Sequence, residues 1–296
     1  MIKRSIFSNK YLPYLLILPQ VLVTLTFFYW PAFQGLLQSL MLSDPFGLHT
    51  RFVWFDNFIE LFRDPLYLRS IAITLTFSAA TAFVSITTGL FLATMANRAL
   101  HFTAITRTLL IWPYAVAPAI SGILWLFLLH PSYGIVSLAL KRWFGLDWNP
   151  VLNGTDALIM VIMASAWKEI SYNFVFFMAG LQSVPHSLIE AAAMDGASPL
   201  RRFRSIVLPM LSPTLFFVTV MNIIYTFFET FGVIHTVTQG GPGGATNILV
   251  YKVYQDGFIG LNLGSSAAQS IVLMTIIILI TVLQFKYVER KVQYTG

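Results

Sequence analysis

The chain has 296 residues, 57% of them hydrophobic and only 10% charged. Soluble domains carry about 25% charged residues, so the composition excludes an ordinary soluble domain and points to a membrane protein. The net charge of +6 lies in the gaps between apolar runs and does not suggest nucleic acid, and the absence of cysteine excludes disulfides and thiolate metal sites.

A membrane-crossing helix needs about 20 predominantly apolar residues. Six stretches have that length: 12–42, 70–97, 108–129, 157–181, 210–234 and 265–285. They are too long for barrel strands and lack their period-two alternation. The expected fold is an all-α integral membrane protein with six transmembrane helices, in a single transmembrane domain covering 1–296. Lys3, Arg4 and Lys10 before the first run give it the look of a signal peptide. That run is too long and shows no convincing cleavage site, so an uncleaved first span is expected.

Between the first two spans, FDNFIELF (Phe55 to Phe62) predicts a short helix with Asp56 as its N-cap. An interfacial helix is the simpler reading, and part of a docking surface for an external protein is the alternative. Pro113 and Pro118 fall in the third span, and Pro13, Pro19 and Pro209 at or near others. The favoured reading is that they tune helix shape; the alternative is that Pro113 and Pro118 break the helix and bare polar backbone. Asn153-Gly154-Thr155 matches a glycosylation acceptor, a motif too short to carry a role.

The fourth span holds Lys168 and Glu169 at its middle. Ionisable residues at that depth are costly and are functional candidates. Glu169, Tyr172 and Asn173 share one helical face, and Asn222, Tyr225 and Glu229 form a second polar stripe in the fifth span. The two stripes are candidates for a water-filled substrate path, with Lys168 as its leading polar contact. Equally open is a structural role in which Lys168 pairs with an acidic residue of a neighbouring span.

Residues 182–209 form a polar loop between the fourth and fifth spans. Ser187 with Glu190 fits a capping box, and alanines follow. Gly196 suits a left-handed helix end, and Ser198-Pro199 suits a second helix start. Two short helices meeting about Gly196 are expected. Further on, Gln239 to Gly244 (QGGPGG) predicts an irregular loop. It is not a phosphate-cradling loop, because no G-x-x-x-x-G-K-[ST] occurs in the chain. Lys and Arg are more numerous on the side holding Arg107, Arg201, Arg202, Arg204 and Lys286, which predicts both termini in the cytoplasm.

The loop also carries E-A-A-x-x-D-G-A followed by I-x-L-P: Glu190, Ala191, Ala192, Asp195, Gly196, Ala197, Ile206, Leu208 and Pro209. That pattern resembles the signature of binding-protein-dependent ABC importer permeases. Further stretches resemble the sugar and glycerol-phosphate group of that family: YLPYLLILPQ (11–20), DPFG (44–47), WPYAVAPA (112–119), WKEISYNF (167–174), RRF (201–203) and GSSAAQSIVLM (264–274). The resemblance implies a type I ABC importer permease fold in a bacterial inner membrane. It implies a chain without catalytic residues or metal, binding no cofactor, with ATP and Mg on a partner subunit. The implied partners are a second permease in a heterodimer, two cytoplasmic ATP-binding subunits, an external solute-binding protein and membrane lipid. In that family the 182–209 loop docks on the ATPase. The implied cargo is sn-glycerol-3-phosphate or a related diester, with a sugar or oligosaccharide as the alternative. An anionic cargo suits Lys168 and conflicts with Glu169 and Glu229, so a sister permease can supply most contacts.

Two other classes compete. A secondary transporter predicts internal repeats with paired broken helices; repeats are not evident. An intramembrane enzyme predicts signatures such as H-E-x-x-H, and the five histidines lie outside the spans or at their ends.

Overall fold

The computed structural model describes residues 11–43, 49–98 and 104–288. Lys3, Arg4, Lys10 and the DPFG stretch lie outside the described residues. Two compact units are present: Met1–Arg63 with Val253–Val272, and Asp64–Lys252 with Leu273–Gly296.

In the first unit, α1 (Leu12–Thr24) and α2 (Trp30–Ser39) are joined by a π-helical turn, Leu25–Tyr29. Pro19 lies inside α1 without ending it. The apolar helix stops at Ser39 because Met41–Ser43 (β1) pairs antiparallel with Thr50–Phe52 (β2), Met41 opposite Phe52. The expected span to residue 42 is therefore shorter at its outer end. α3 (Asp56–Arg63) begins at Asp56 itself, so Asp56 is a first-turn residue rather than the N-cap. An acidic residue still suits the positive end of the helix dipole there. Asn57 Nδ2 donates to Ser39 O (2.8 Å) and Met41 O (3.0 Å), which satisfies carbonyls left over at the end of α2. A Cβ at position 264 would collide with Met41 O and crowd Asn57, so glycine is required there. Two stretches singled out in the sequence thus meet for a packing reason.

The second unit contains α4 (Pro65–Arg98), α5 (Ala104–Ile111), α6 (Pro118–Leu129), α7 (Ile135–Phe144), α8 (Gly154–Gln182) and α9 (His186–Met194). It continues through α10 (Pro199–Arg202), α11 (Leu208–Met210), α12 (Ser212–Phe228), α13 (Phe231–Val237) and α14 (Leu249–Tyr254). The last helix described, α15 (Leu263–Leu283), begins in the first unit's segment and ends in the second's.

Among the described residues, three helical stretches are long and apolar enough to cross a membrane alone: Leu12–Ser39, Pro65–Asn97 and Leu263–Lys286. Counting each sharply bent pair as one span gives up to five. α8 has 29 residues, ample for a crossing, but its polar middle keeps it out of that count. The bends have local causes. Pro118 opens α6, and the residue before a proline is pushed out of the helical region. Val116 and Ala117 are accordingly extended, Trp112–Ala115 forms a tight 3-10 turn, and α5 and α6 diverge by 107°. The shape-tuning reading of Pro113 and Pro118 is thus corrected: the helix is broken. The stretch read as 210–234 is also discontinuous. It bends by 68° at Leu211, and α12 gives way to α13 at Glu229 and Thr230.

α4 lies along α8, and α12 packs on both. The backbones approach closely because Gly89 lacks a side chain; a Cβ there would stand 2.7 Å from the Asn173 Cβ. Small residues at such contacts are how membrane helices gain dispersion contact. Buried hydroxyls add links: Ser78 to Thr226, and Ser121 Oγ to Ala164 O at 2.9 Å. Asn153, assigned no role from sequence, caps α8 by accepting from Thr155 N at 2.9 Å.

Gly89→Val should cost about 1–3 kcal/mol through overpacking. Gly35→Val, where nothing lies within 4 Å of the new Cβ, should leave thermal stability unchanged in the same assay. Equal midpoints for the two variants would contradict the packing described.

Candidate functional site

Lys168 is the middle residue of α8. Its Nζ stands 5.0 Å from the Tyr114 ring centroid and 5.5 Å from that of Tyr225. Among the described residues no carboxylate pairs with it. The ion-pair reading of Lys168 is therefore corrected. Two aromatic faces hold the ammonium, a contact worth up to about 2 kcal/mol when desolvated. Tyr114 comes from the turn that follows α5, so the proline break places a ring that a straight helix would carry elsewhere.

Around this lysine is an open cavity of about 330 Å³. It is lined by Tyr114, Lys168, Glu169, Tyr172, Met221, Ile224, Tyr225 and Glu229. Five predicted path residues, Lys168, Glu169, Tyr172, Tyr225 and Glu229, thus surround one space. Tyr172 lies beside Tyr114, their ring centroids 5.6 Å apart. The Tyr225 hydroxyl is buried and makes no hydrogen bond among the described residues, and Tyr225 is one of the residues that line the cavity. Glu229 is exposed where α12 ends, whereas Glu169 is buried.

Asn173 and Asn222 are elsewhere. Both are fully buried and form a reciprocal amide pair, Asn222 Nδ2 to Asn173 Oδ1 at 2.7 Å and Asn173 Nδ2 to Asn222 Oδ1 at 3.3 Å. Ser85 Oγ donates to Asn222 Oδ1 at 2.6 Å, joining α4 to the clamp. Their assignment to the path is corrected, because the close approach at Gly89 puts them in a helix interface. Tyr114, Met221 and Ile224 went unread. Only the paired prolines beside Tyr114 carried any signal for them.

The 182–209 loop is built as two helices about Gly196. α9 starts at His186 with Pro185 as its cap residue and no side-chain cap, so the expected capping box of Ser187 and Glu190 does not form. Its end is a full Schellman motif: Gly196 N donates to Ala193 O (3.1 Å), Ala197 N to Ala192 O (2.9 Å), and Gly196 has φ +77°. Ser198 then caps α10 by accepting from Arg201 N. Glu190, Ala191 and Asp195 are exposed, and Met194 at the apex is 88% exposed. The far half of the motif behaves oppositely. Ile206, Leu208 and Pro209 are half-buried and flank Val207, which packs with Phe174, Phe177, Leu181 and Leu211. One end of the motif is presented and the other is anchored in the core.

A family model described as the binding-protein-dependent transport system inner membrane component matches residues 85–294. The chain belongs to this family. It is 54% identical to the sn-glycerol-3-phosphate transport system permease protein UgpA of Rhizobium meliloti (strain 1021), over 99% of each chain. The protein of the same name from Brucella abortus biovar 1 (strain 9-941) is 53% identical over 98% of each. In solved structures, the fold is similar to a chain of a bacterial ABC transporter involved in import of the acidic polysaccharide alginate. The TM-score is 0.80, with 23% identity, covering 95% of this chain and 96% of that one. The fold class expected from sequence, that of an ABC importer permease in the inner membrane, therefore holds for this family member.

Asn222→Ala should lower stability by about 1 kcal/mol, the scale of a membrane interhelical hydrogen bond, and leave KM for transport unchanged. A raised KM at unchanged stability would return Asn222 to the path.

Proposed function

We propose that this chain is one permease subunit of an ATP-driven importer of sn-glycerol-3-phosphate. The observation that carries the reading is end-to-end identity above 50% to several permeases of that name. The cavity around Lys168 is the proposed passage. Its ammonium offers a charge-assisted contact to a phosphate, and the Tyr225 hydroxyl a neutral one to the glycerol part. Glu169 and Glu229 limit how much negative charge can rest there, so cargo passes rather than stays. A second permease would supply the opposite wall.

The chain performs no bond chemistry in this reading. Hydrolysis falls to two cytoplasmic ATP-binding subunits that hold ATP and Mg, which fits the absence of a nucleotide-binding motif here. Glu190, Ala191, Ala192, Asp195, Gly196 and Ala197 would dock on one of them. Ile206, Leu208 and Pro209 would carry its movement into the core. Cargo would arrive on an external binding protein, and the two permeases would rock to alternate access.

Deleting the gene should abolish uptake of labelled sn-glycerol-3-phosphate, with competition by glycerophosphodiesters and not by maltose-type sugars. Uptake that persists with other transporters removed would move the cargo toward a sugar. Lys168→Met should raise KM about tenfold, the loss of one charge-assisted hydrogen bond. An unchanged KM in an intact complex would remove Lys168 from the passage.

Gly196 tests the loop. Nothing lies within 4 Å of a Cβ built there, so the strain of a substitution is conformational. A left-handed non-glycine residue costs roughly 1–2 kcal/mol, least for asparagine. Transport should fall in the order Asn, Ala, Val, with binding-protein docking retained. Normal transport in Gly196→Val would sink the coupling assignment.

A further inference from the structure

We propose that the loop end of the bundle holds an anionic phospholipid, its headgroup on Arg202 and one acyl chain in the groove beside Phe91. A cavity of about 370 Å³ lies where α4, α8, α9 and α10 converge. Its polar wall is Thr94, Asn97, His186 and Arg202. Among the described residues the buried Arg202 Nε has no hydrogen-bond partner and no carboxylate pairs with the guanidinium. An arginine does not escape this by losing its proton. A buried donor without a partner is costly, and the planar guanidinium fork matches a phosphate.

A second groove, of about 470 Å³, continues from the first and shares Thr94, Pro199 and Phe203 with it. Its other walls, Leu90, Phe91 and Leu200, are apolar apart from Thr87. A free anion would use only the first space, and an uncharged chain only the second. A molecule with a phosphate at one end and an acyl chain at the other uses both. Charge complementarity favours the anionic kind, because Arg201 and Arg204 stand exposed on the same segment. Basic pockets between membrane helices on the cytoplasmic side bind headgroups of this type. The chain would lie between α4 and α10, so the lipid would brace the second helix of the loop against a span.

The test uses the purified complete transporter and native mass spectrometry. Phosphatidylglycerol or phosphatidylcholine is added, with inorganic phosphate as competitor. Phosphatidylglycerol should be retained in preference to phosphatidylcholine, and phosphate should not displace it. Arg202→Gln should reduce retention about tenfold, and Arg202→Lys by less. Phe91→Asn should weaken lipid retention with the headgroup seat intact. Equal retention of the two lipids by the wild-type complex would overturn the proposal whether or not the variants assemble. So would unchanged retention in Arg202→Gln. Displacement by phosphate, insensitive to Phe91→Asn, would reduce the feature to a free-anion seat and overturn the lipid assignment.

Discussion

A lysine at the centre of a 29-residue helix, with no carboxylate partner among the described residues, sets the terms for the rest of this structure. A charge at the centre of a membrane span costs roughly 2.5–3.5 kcal/mol on insertion scales. Something must offset it. Here two tyrosine rings and an open polar cavity do so, and each depends on a neighbouring helix being interrupted. The break before Pro118 delivers Tyr114, and the end of α12 at Phe228 opens the space next to Glu229. Irregular backbone at membrane depth is tolerated where it lines a cavity. The charge, the breaks and the cavity are thus one arrangement rather than three.

The scaffold that holds them is deliberately polar as well as close-packed. Gly89 lets α4 touch α8, and the Asn173–Asn222 pair with Ser85 fixes the register of α4, α8 and α12. That clamp lies within about one and a half turns along α8 of the cavity residues, so shifting it would move Glu169 and Tyr172. At the loop, rigidity is of another kind. A Schellman turn fixes the angle between two short helices with backbone hydrogen bonds alone, and Val207 fastens the second helix to the same core. A push on Met194 therefore has a stiff route to α8 and α12.

Much of this was legible in the sequence. Charge depletion and run length announced membrane helices. Gly196 and Ser198-Pro199 announced their turn and cap because local backbone chemistry decides such features. The two polar stripes named four of the cavity residues, and the mid-span position of Lys168 named a fifth. What failed has a common cause: helical periodicity gives a face but not what faces it. Asn173 and Asn222 lie on stripes with path residues, yet each finds its partner in the other, a fact of tertiary packing. Ser187 and Glu190 fit a capping pattern, but with Pro185 as the cap residue the helix starts two residues too early for it. Tyr114 was invisible because its position depends on a 107° turn between helices that a hydropathy reading joins.

The lack of cysteine offers the most direct test of the passage itself. A single cysteine at Glu229, in the complete transporter reconstituted with its binding protein, would be labelled with a membrane-impermeant thiol reagent. The measurement is the labelling rate with and without sn-glycerol-3-phosphate. The account predicts that labelling slows with this cargo and not with maltose, and that the rate changes when ATP hydrolysis is blocked. A rate indifferent to cargo and to nucleotide would contradict it, because the cavity around Lys168 would then lie off the route that the cargo takes.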